Sequence, residues 1–177
     1  DSLTPTFRHE KYPEYKATRE KTPEELHAQI PVIEEMLDAL GVVKIRENGV
    51  EADDVMATLA ERCRESTQPC YLLTGDKDLL QLIDGPVKVL LSEKGTYTEV
   101  GREEVYGKFG IYPEQVQDYL ALIGDSADNI PGVKGIGPKT AVDLLTKYES
   151  LDGIYEHLGD CTKSRRQKLE SGRDSAY

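Results

Sequence analysis

The stretch YLLTGDKD, residues 71–78, decides how this chain folds. Tyr71, Leu72, Leu73 and Thr74 form a short apolar run shortly after a proline, the pattern of a buried strand, and Gly75 closes it with Asp76 and Asp78 directly beyond. Ligands of open α/β sheets collect at the carboxyl ends of strands, so these two carboxylates stand where chemistry is expected. Upstream, residues 42–45 read as a second short strand, Asn48-Gly49 as a turn, and residues 51–64 as a helix with Val55, Leu59 and Cys63 on one face. Strand, helix, strand favours a parallel sheet. The helix opens on a second acidic cluster, VEADD, with Glu51, Asp53 and Asp54, which should converge with the first on one edge of the sheet.

Farther toward the start, residues 1–21 are polar, rich in Tyr, Lys and Arg, and without period, which suggests an ordered loop or a segment that orders on binding. Thr22, Pro23 and Glu25 supply an N-cap, a first-turn proline and a capping box for a helix. Its apolar face runs Leu26, Ile30, Ile33, Leu37 and Leu40, and Gly41 stops it. Pro31 inside it costs about 3 kcal/mol in an unbroken helix, so a kink or restart is expected there. On the other side, residues 87–91 and 96–100 around Lys94-Gly95 read as a hairpin or two short strands. Helical patterns then cover residues 102–109, 113–123, 138–148, 151–158 and 162–170. The expected fold is α/β: a mainly parallel sheet flanked by helices over residues 1–100, then a helical subdomain over residues 101–177.

With 177 residues and 38% apolar content, the chain can bury one core plus a small appendage. Its net charge of −11 would argue against a nucleic-acid partner if spread evenly. It is not: residues 8–21 hold five basic against three acidic side chains, and residues 160–173 five against two. Three scattered cysteines without close Cys/His pairs exclude a zinc finger and suit a reduced, cytoplasmic protein. No stretch reaches the roughly 20 apolar residues of a membrane span, and no charged-then-apolar leader opens the sequence.

Eight carboxylates lie in four clusters: Asp1; Glu51, Asp53 and Asp54; Asp76 and Asp78; Asp125 and Asp128 in GDSADN. Each has an ordinary reading by itself, as first-turn acid, as turn residue, or as loop and N-cap chemistry. Together their mutual repulsion is tolerable only around hard cations, since like charges at close range oppose one another's ionisation. Oxygen ligands suit Mg²⁺ or Mn²⁺, and His9, His27 and His157 are too scattered to recruit zinc.

Two further stretches carry candidate contacts. PGVKGIGPKTA, residues 131–141, sets Gly132, Gly135 and Gly137 before a helix N-terminus able to meet a phosphate, with Lys134, Lys139 and Thr140 alongside; a plain glycine connector is the alternative. In YKATR, Tyr15 together with Tyr12 offers a ring for an unpaired base, with Lys16 and Arg19 for phosphate, against the alternative of a solvated mixed-charge loop. The basic run Lys163, Arg165, Arg166 and Lys168 reads first as a solvated helix face.

TFRHEKYPEYKATR, VEADDV, LLTGDKDLLQL and LALIGDSADNIPGVKGIGPKTA together resemble the 5'-nuclease domains of bacterial DNA polymerase I, relatives of the flap endonucleases and phage 5'-3' exonucleases. The likeness runs almost end to end, with four motifs in the family's order. It implies a two-metal, structure-specific nuclease acting on DNA with a 5' flap or 5' end in replication and repair. By that resemblance Asp1, Glu51 and Asp53 hold one metal and Asp76, Asp78 and Asp125 the second, with Glu51 a candidate bridge. Asp54 and Asp128 match acidic positions whose candidate role runs through water. Lys16 and Arg19 polarise the phosphate as catalytic residues. The glycine turn resembles the family's helix-turn-helix variant for gripping duplex, with K⁺ as a candidate ion. The family's first strand, ending in a further metal-binding Asp, lies upstream of what is expected to be a domain truncated at both ends, and an attached polymerase is a candidate partner. Two rivals stand: a non-catalytic DNA-binding fragment, and a phosphatase of the haloacid-dehalogenase type, whose nucleophile motif wants Thr or Val where Leu80 stands.

Overall fold

The computed structural model describes residues 2, 4–20 and 22–177. They divide into two compact units, one of Asp1–Val55 with Ala127–Asn129 and one of Met56–Ser126 with Ile130–Tyr177.

The first unit holds α1 (Phe7–Lys11), α2 (Glu24–Ala39) and the first turn of α3 (Ala52–Glu65). α2 runs as one helix through Pro31, without the restart that is one of the two expectations there, and its N-cap is Pro23, one residue later than the capping-box reading. No residue of α2 is buried. Residues 42–45 form no strand, which corrects the sequence reading. An apolar run becomes a strand only by gaining a ladder partner. Here Val43 is 83% exposed and Ile45 56% exposed. Polar bonds that reach far along the sequence hold this unit instead.

The second unit is built on a three-stranded sheet in the order β1 (Cys70–Thr74), β2 (Val87–Glu93), β3 (Thr96–Val100). β1 and β2 are parallel, with Leu72 opposite Val89. β2 and β3 are antiparallel, and Glu93 and Thr96 close the hairpin. Its two-residue turn puts Lys94 at φ 51° and Gly95 at φ 79°, the left-handed pair that matches strand twist. Between β1 and β2 a 3₁₀ turn, Asp78–Leu82, buries Leu79 and Leu80.

Around the sheet lie α4 (Arg102–Phe109), α5 (Val116–Ile123), α6 (Pro138–Tyr148), α7 (Leu151–Glu156), α8 (Lys163–Ser171) and α9 (Arg173–Ala176). Their caps are local: Ser150 accepts from the Gly153 amide at the start of α7, and Thr162 from that of Arg165 at the start of α8. The core joins Leu72, Val87, Val89 and Leu91 of the sheet to Val105, Leu122, Leu144, Leu145, Ile154 and Leu169 of the helices. Met56 and Ala60 of α3 meet this core, so the buried stripe is shifted one residue from the expected Val55 and Leu59.

Candidate active site and nucleic-acid interface

In the second unit, β1 ends at Thr74 and the next residues turn on themselves. The Asp76 amide donates to Thr74 Oγ1 and the Asp78 amide to Asp76 Oδ1, both at 2.9 Å. These bonds fix the loop and leave Asp76 exposed. Asp125 follows α5 and is fixed by a two-way backbone bridge to Ile130, at 2.8 and 2.7 Å. Asp78 and Asp125, with Lys77 and Ser126, line one cavity of about 340 Å³ whose inner walls include Phe109 and Tyr119.

In the first unit a different arrangement holds the acids. Glu51 is 8% exposed, and its Oε2 accepts from Lys16 Nζ at 2.8 Å and from the Tyr15 hydroxyl at 3.0 Å. The same hydroxyl lies 2.9 Å from Asp128 Oδ2, so one proton serves two carboxylates. Burial, then the hydrogen bonds to Asp128 and Glu51, push the Tyr15 hydroxyl well above the usual tyrosine range, so it remains a donor. Arg19 Nη2 holds Asp128 Oδ1 at 2.5 Å. The Lys16 backbone sits at φ 56°, a costly conformation for a residue with a side chain. Its amide is anchored on the Asp128 carbonyl at 3.0 Å.

Several expected roles change here. Asp54 takes a two-pronged bond from Arg8, at 2.7 and 2.8 Å, and a third from the Glu51 amide at 2.8 Å, which ties the start of α3 to α1. The Arg8 guanidinium holds the Asp54 carboxyl below the usual carboxylate range. Asp128 accepts from both Tyr15 and Arg19. Tyr15 is 7% exposed and packs edge-on against His9, so its ring is closed to a stacking base; Tyr12, at 36% exposed, keeps an open ring. Asp53 lies half-buried in the first turn of α3, and Asp1 falls outside the described residues. Among the described residues no three His, Cys, Asp or Glu side chains stand together closely enough to hold a metal ion. The donor set itself, all carboxylate oxygen, fits a hard divalent cation.

The glycine turn separates into two functions. Gly132 is buried at φ 60°, and a Cβ there would lie 2.2 Å from the Gly124 amide nitrogen. Its bareness admits the neighbouring backbone, which corrects its expected role as a DNA contact. Gly135, at φ 84°, and Gly137 are exposed, as are Lys134 and Lys139, while Thr140 is half-buried. Gly137 caps α6 without a side-chain bond, and nothing lies within 4 Å of where its Cβ would be. The α6 N-terminus is thereby open to an anion. Sequence reasoning missed Arg8 and the Phe109 and Tyr119 walls, for which no local pattern signals a role.

Comparison with known proteins places the chain in a family. Residues 1–110 match the family model of the 5'-3' exonuclease N-terminal resolvase-like domain, and residues 111–177 that of the 5'-3' exonuclease C-terminal SAM fold. The class is thus a nuclease fold in two parts, and the chain belongs to the 5'-3' exonuclease family. It is 47% identical to DNA polymerase I of Treponema pallidum (strain Nichols), over 100% of this chain and 18% of that protein. It is 39% identical to the 5'-3' exonuclease of Mycoplasma pneumoniae (strain ATCC 29342 / M129 / Subtype 1), over 99% of this chain and 62% of that one. The chain spans about a fifth of the length of the polymerase relatives. Among solved structures, T5 D15 protein co-crystallised with metal ions superposes with a TM-score of 0.81 at 24% identity, covering 99% of this chain and 69% of that one. A bacteriophage T5 D15 flap endonuclease complex with DNA and metal ions gives 0.80 at 25%, covering 98% and 67%. Family membership sets aside the haloacid-dehalogenase reading.

Proposed function

We propose that this chain is the catalytic part of a divalent-metal-dependent nuclease that cuts 5'-flap DNA and shortens 5' ends in replication and repair, in the cytoplasm and joined to a polymerase. The observation that carries the reading is that Asp78 and Asp125, 47 positions apart, line one cavity beyond the end of β1. Residues 1–100 serve as the metal-binding core and residues 101–177 as the DNA-binding subdomain. Asp76, Asp78 and Asp125 hold one Mg²⁺ or Mn²⁺; Glu51 and Asp53, with Asp1 from the family likeness, hold another. Bound divalent cations would activate a water and stabilise the departing oxygen of a phosphodiester. Lys16 and Arg19 give up their carboxylates to meet the phosphate, each as a charge-assisted donor. Lys134, Gly135, Gly137, Lys139 and Thr140 grip duplex backbone without reading its sequence, with K⁺ as a further ion at the turn.

The test is digestion of a 5'-flap duplex. Cleavage with Mg²⁺ or Mn²⁺, none with EDTA, and no phosphate released from a phosphomonoester are the expected results. Tight duplex binding without cleavage under any divalent ion would favour a non-catalytic DNA-binding fragment.

A further inference from the structure

The basic residues of α8 are not equivalent. Arg165 is spent on Asp143, with Nη2 to Oδ2 at 3.3 Å. Arg166 donates to the Leu158 and Gly159 carbonyls at 2.9 and 2.6 Å, which ties α8 to the 3₁₀ turn Leu158–Asp160. Lys168 instead crosses to the glycine turn, where its Nζ donates to the Gly135 carbonyl at 3.1 Å. Its last methylenes and Nζ lie 3.1 to 3.3 Å from where a Gly135 Cβ would be. Position 135 favours glycine for its positive φ, and the bare backbone gives this side chain room to pass.

The crossing has an electrostatic result. An ammonium has three donors, and the Gly135 carbonyl takes one. Among the described residues Lys134, Lys139 and Lys168 join no ion pair. All three are exposed. In a chain of net charge −11, such a gathering of uncompensated lysines at an open helix N-terminus attracts a polyanion.

We propose that Lys168 is a duplex-contacting residue, which lays its stem over the glycine turn and presents its ammonium to a backbone phosphate beside those met by Lys134 and Lys139. This rests on the reading of the glycine turn as the duplex grip. Arg165 and Arg166, held by Asp143 and by carbonyls, do not share the role.

The experiment measures duplex affinity against salt for the wild type, Lys168→Met, Lys168→Arg, Arg165→Met and Lys139→Ala, in Ca²⁺ to prevent cleavage. Removing one lysine from a phosphate lowers the slope of log K against log salt by about 0.9. Lys168→Met keeps the stem over Gly135 and removes the charge, so it should bind several-fold more weakly to every duplex sequence, with the slope reduced by about one. Lys168→Arg should restore the slope, and Arg165→Met should behave as wild type. If Lys139→Ala lowers affinity and slope while Lys168→Met leaves both unchanged, the proposal falls and the glycine-turn reading stands. Weaker binding of Lys168→Met at an unchanged slope marks a brace for the turn and also overturns the phosphate contact. If neither variant differs from a wild type that binds duplex, both readings fall.

Discussion

The two units of this protein keep their shapes by opposite means. The second has an apolar core in which Val89, Val105, Leu122, Leu145, Ile154 and Leu169 are fully buried. Its carboxylates, Asp76, Asp78 and Asp125, stand at loop ends on that scaffold. The first unit has no buried residue in α1 or α2, and joins its parts through Arg8 to Asp54, 46 positions apart, and Tyr15 to Asp128, 113 apart. A site carried by packing is rigid before any ligand arrives. A site carried by ion pairs can exchange partners, because an incoming cation or phosphate competes for the same charges. The contrast separates carboxylates carried on a packed scaffold from Lys16 and Arg19, whose positions are set by their own ion pairs.

The contrast can be broken by substitution. The largest expected effect is in the packed unit, where Leu145→Ala should cost about 2–5 kcal/mol, because a fully buried leucine leaves a cavity the core only partly refills. Urea unfolding measures it, and a loss near zero would remove the rigid scaffold from the comparison. In the first unit Arg8→Met should cost about 1–2 kcal/mol after allowance for partial exposure. Its signature is pH. Asp54 ionises below its ordinary value of 3.8 in the folded chain, so its contribution is present above that value and is lost as pH falls through the depressed one. The wild type should therefore lose more stability than Arg8→Met between about pH 5 and pH 2, and parallel acid profiles would dismiss the pair. The smallest effect is expected at Val43, where Val43→Thr should change stability by less than about 0.5 kcal/mol because the side chain is largely exposed.

The same contrast explains what the sequence disclosed. Helices of the second unit such as α6 and α7 were legible because Ala141, Leu144 and Leu145, and then Leu151 and Ile154, recur at helical spacing and are all buried. Lys94-Gly95 announced the hairpin through turn chemistry alone. Residues 42–45 misled because β-branched composition does not specify a ladder partner, which is a property of the fold rather than of the run. The commitment of Asp54 to Arg8 was hidden for the same reason: nothing near either residue encodes a pairing 46 positions long. Gly132 and Gly135 look alike in sequence, yet one faces backbone at φ 60° and the other a lysine stem at φ 84°. The four acidic clusters stand out in the sequence by composition, whereas the partners of Asp54 and Asp128 are supplied only by the fold.

The most direct test of the account is cleavage of a 5'-flap duplex in saturating Mg²⁺ by the protein and its Asp76→Asn variant, with duplex affinity measured in parallel. The amide oxygen of Asn can still accept from the Asp78 amide, so the loop beyond β1 keeps its 2.9 Å bond and loses only the charge. The account predicts a rate lower by at least about 100-fold with duplex affinity nearly unchanged. Cleavage by the variant at the wild-type rate would contradict it, and would leave Asp76 a residue of the turn and not of the reaction.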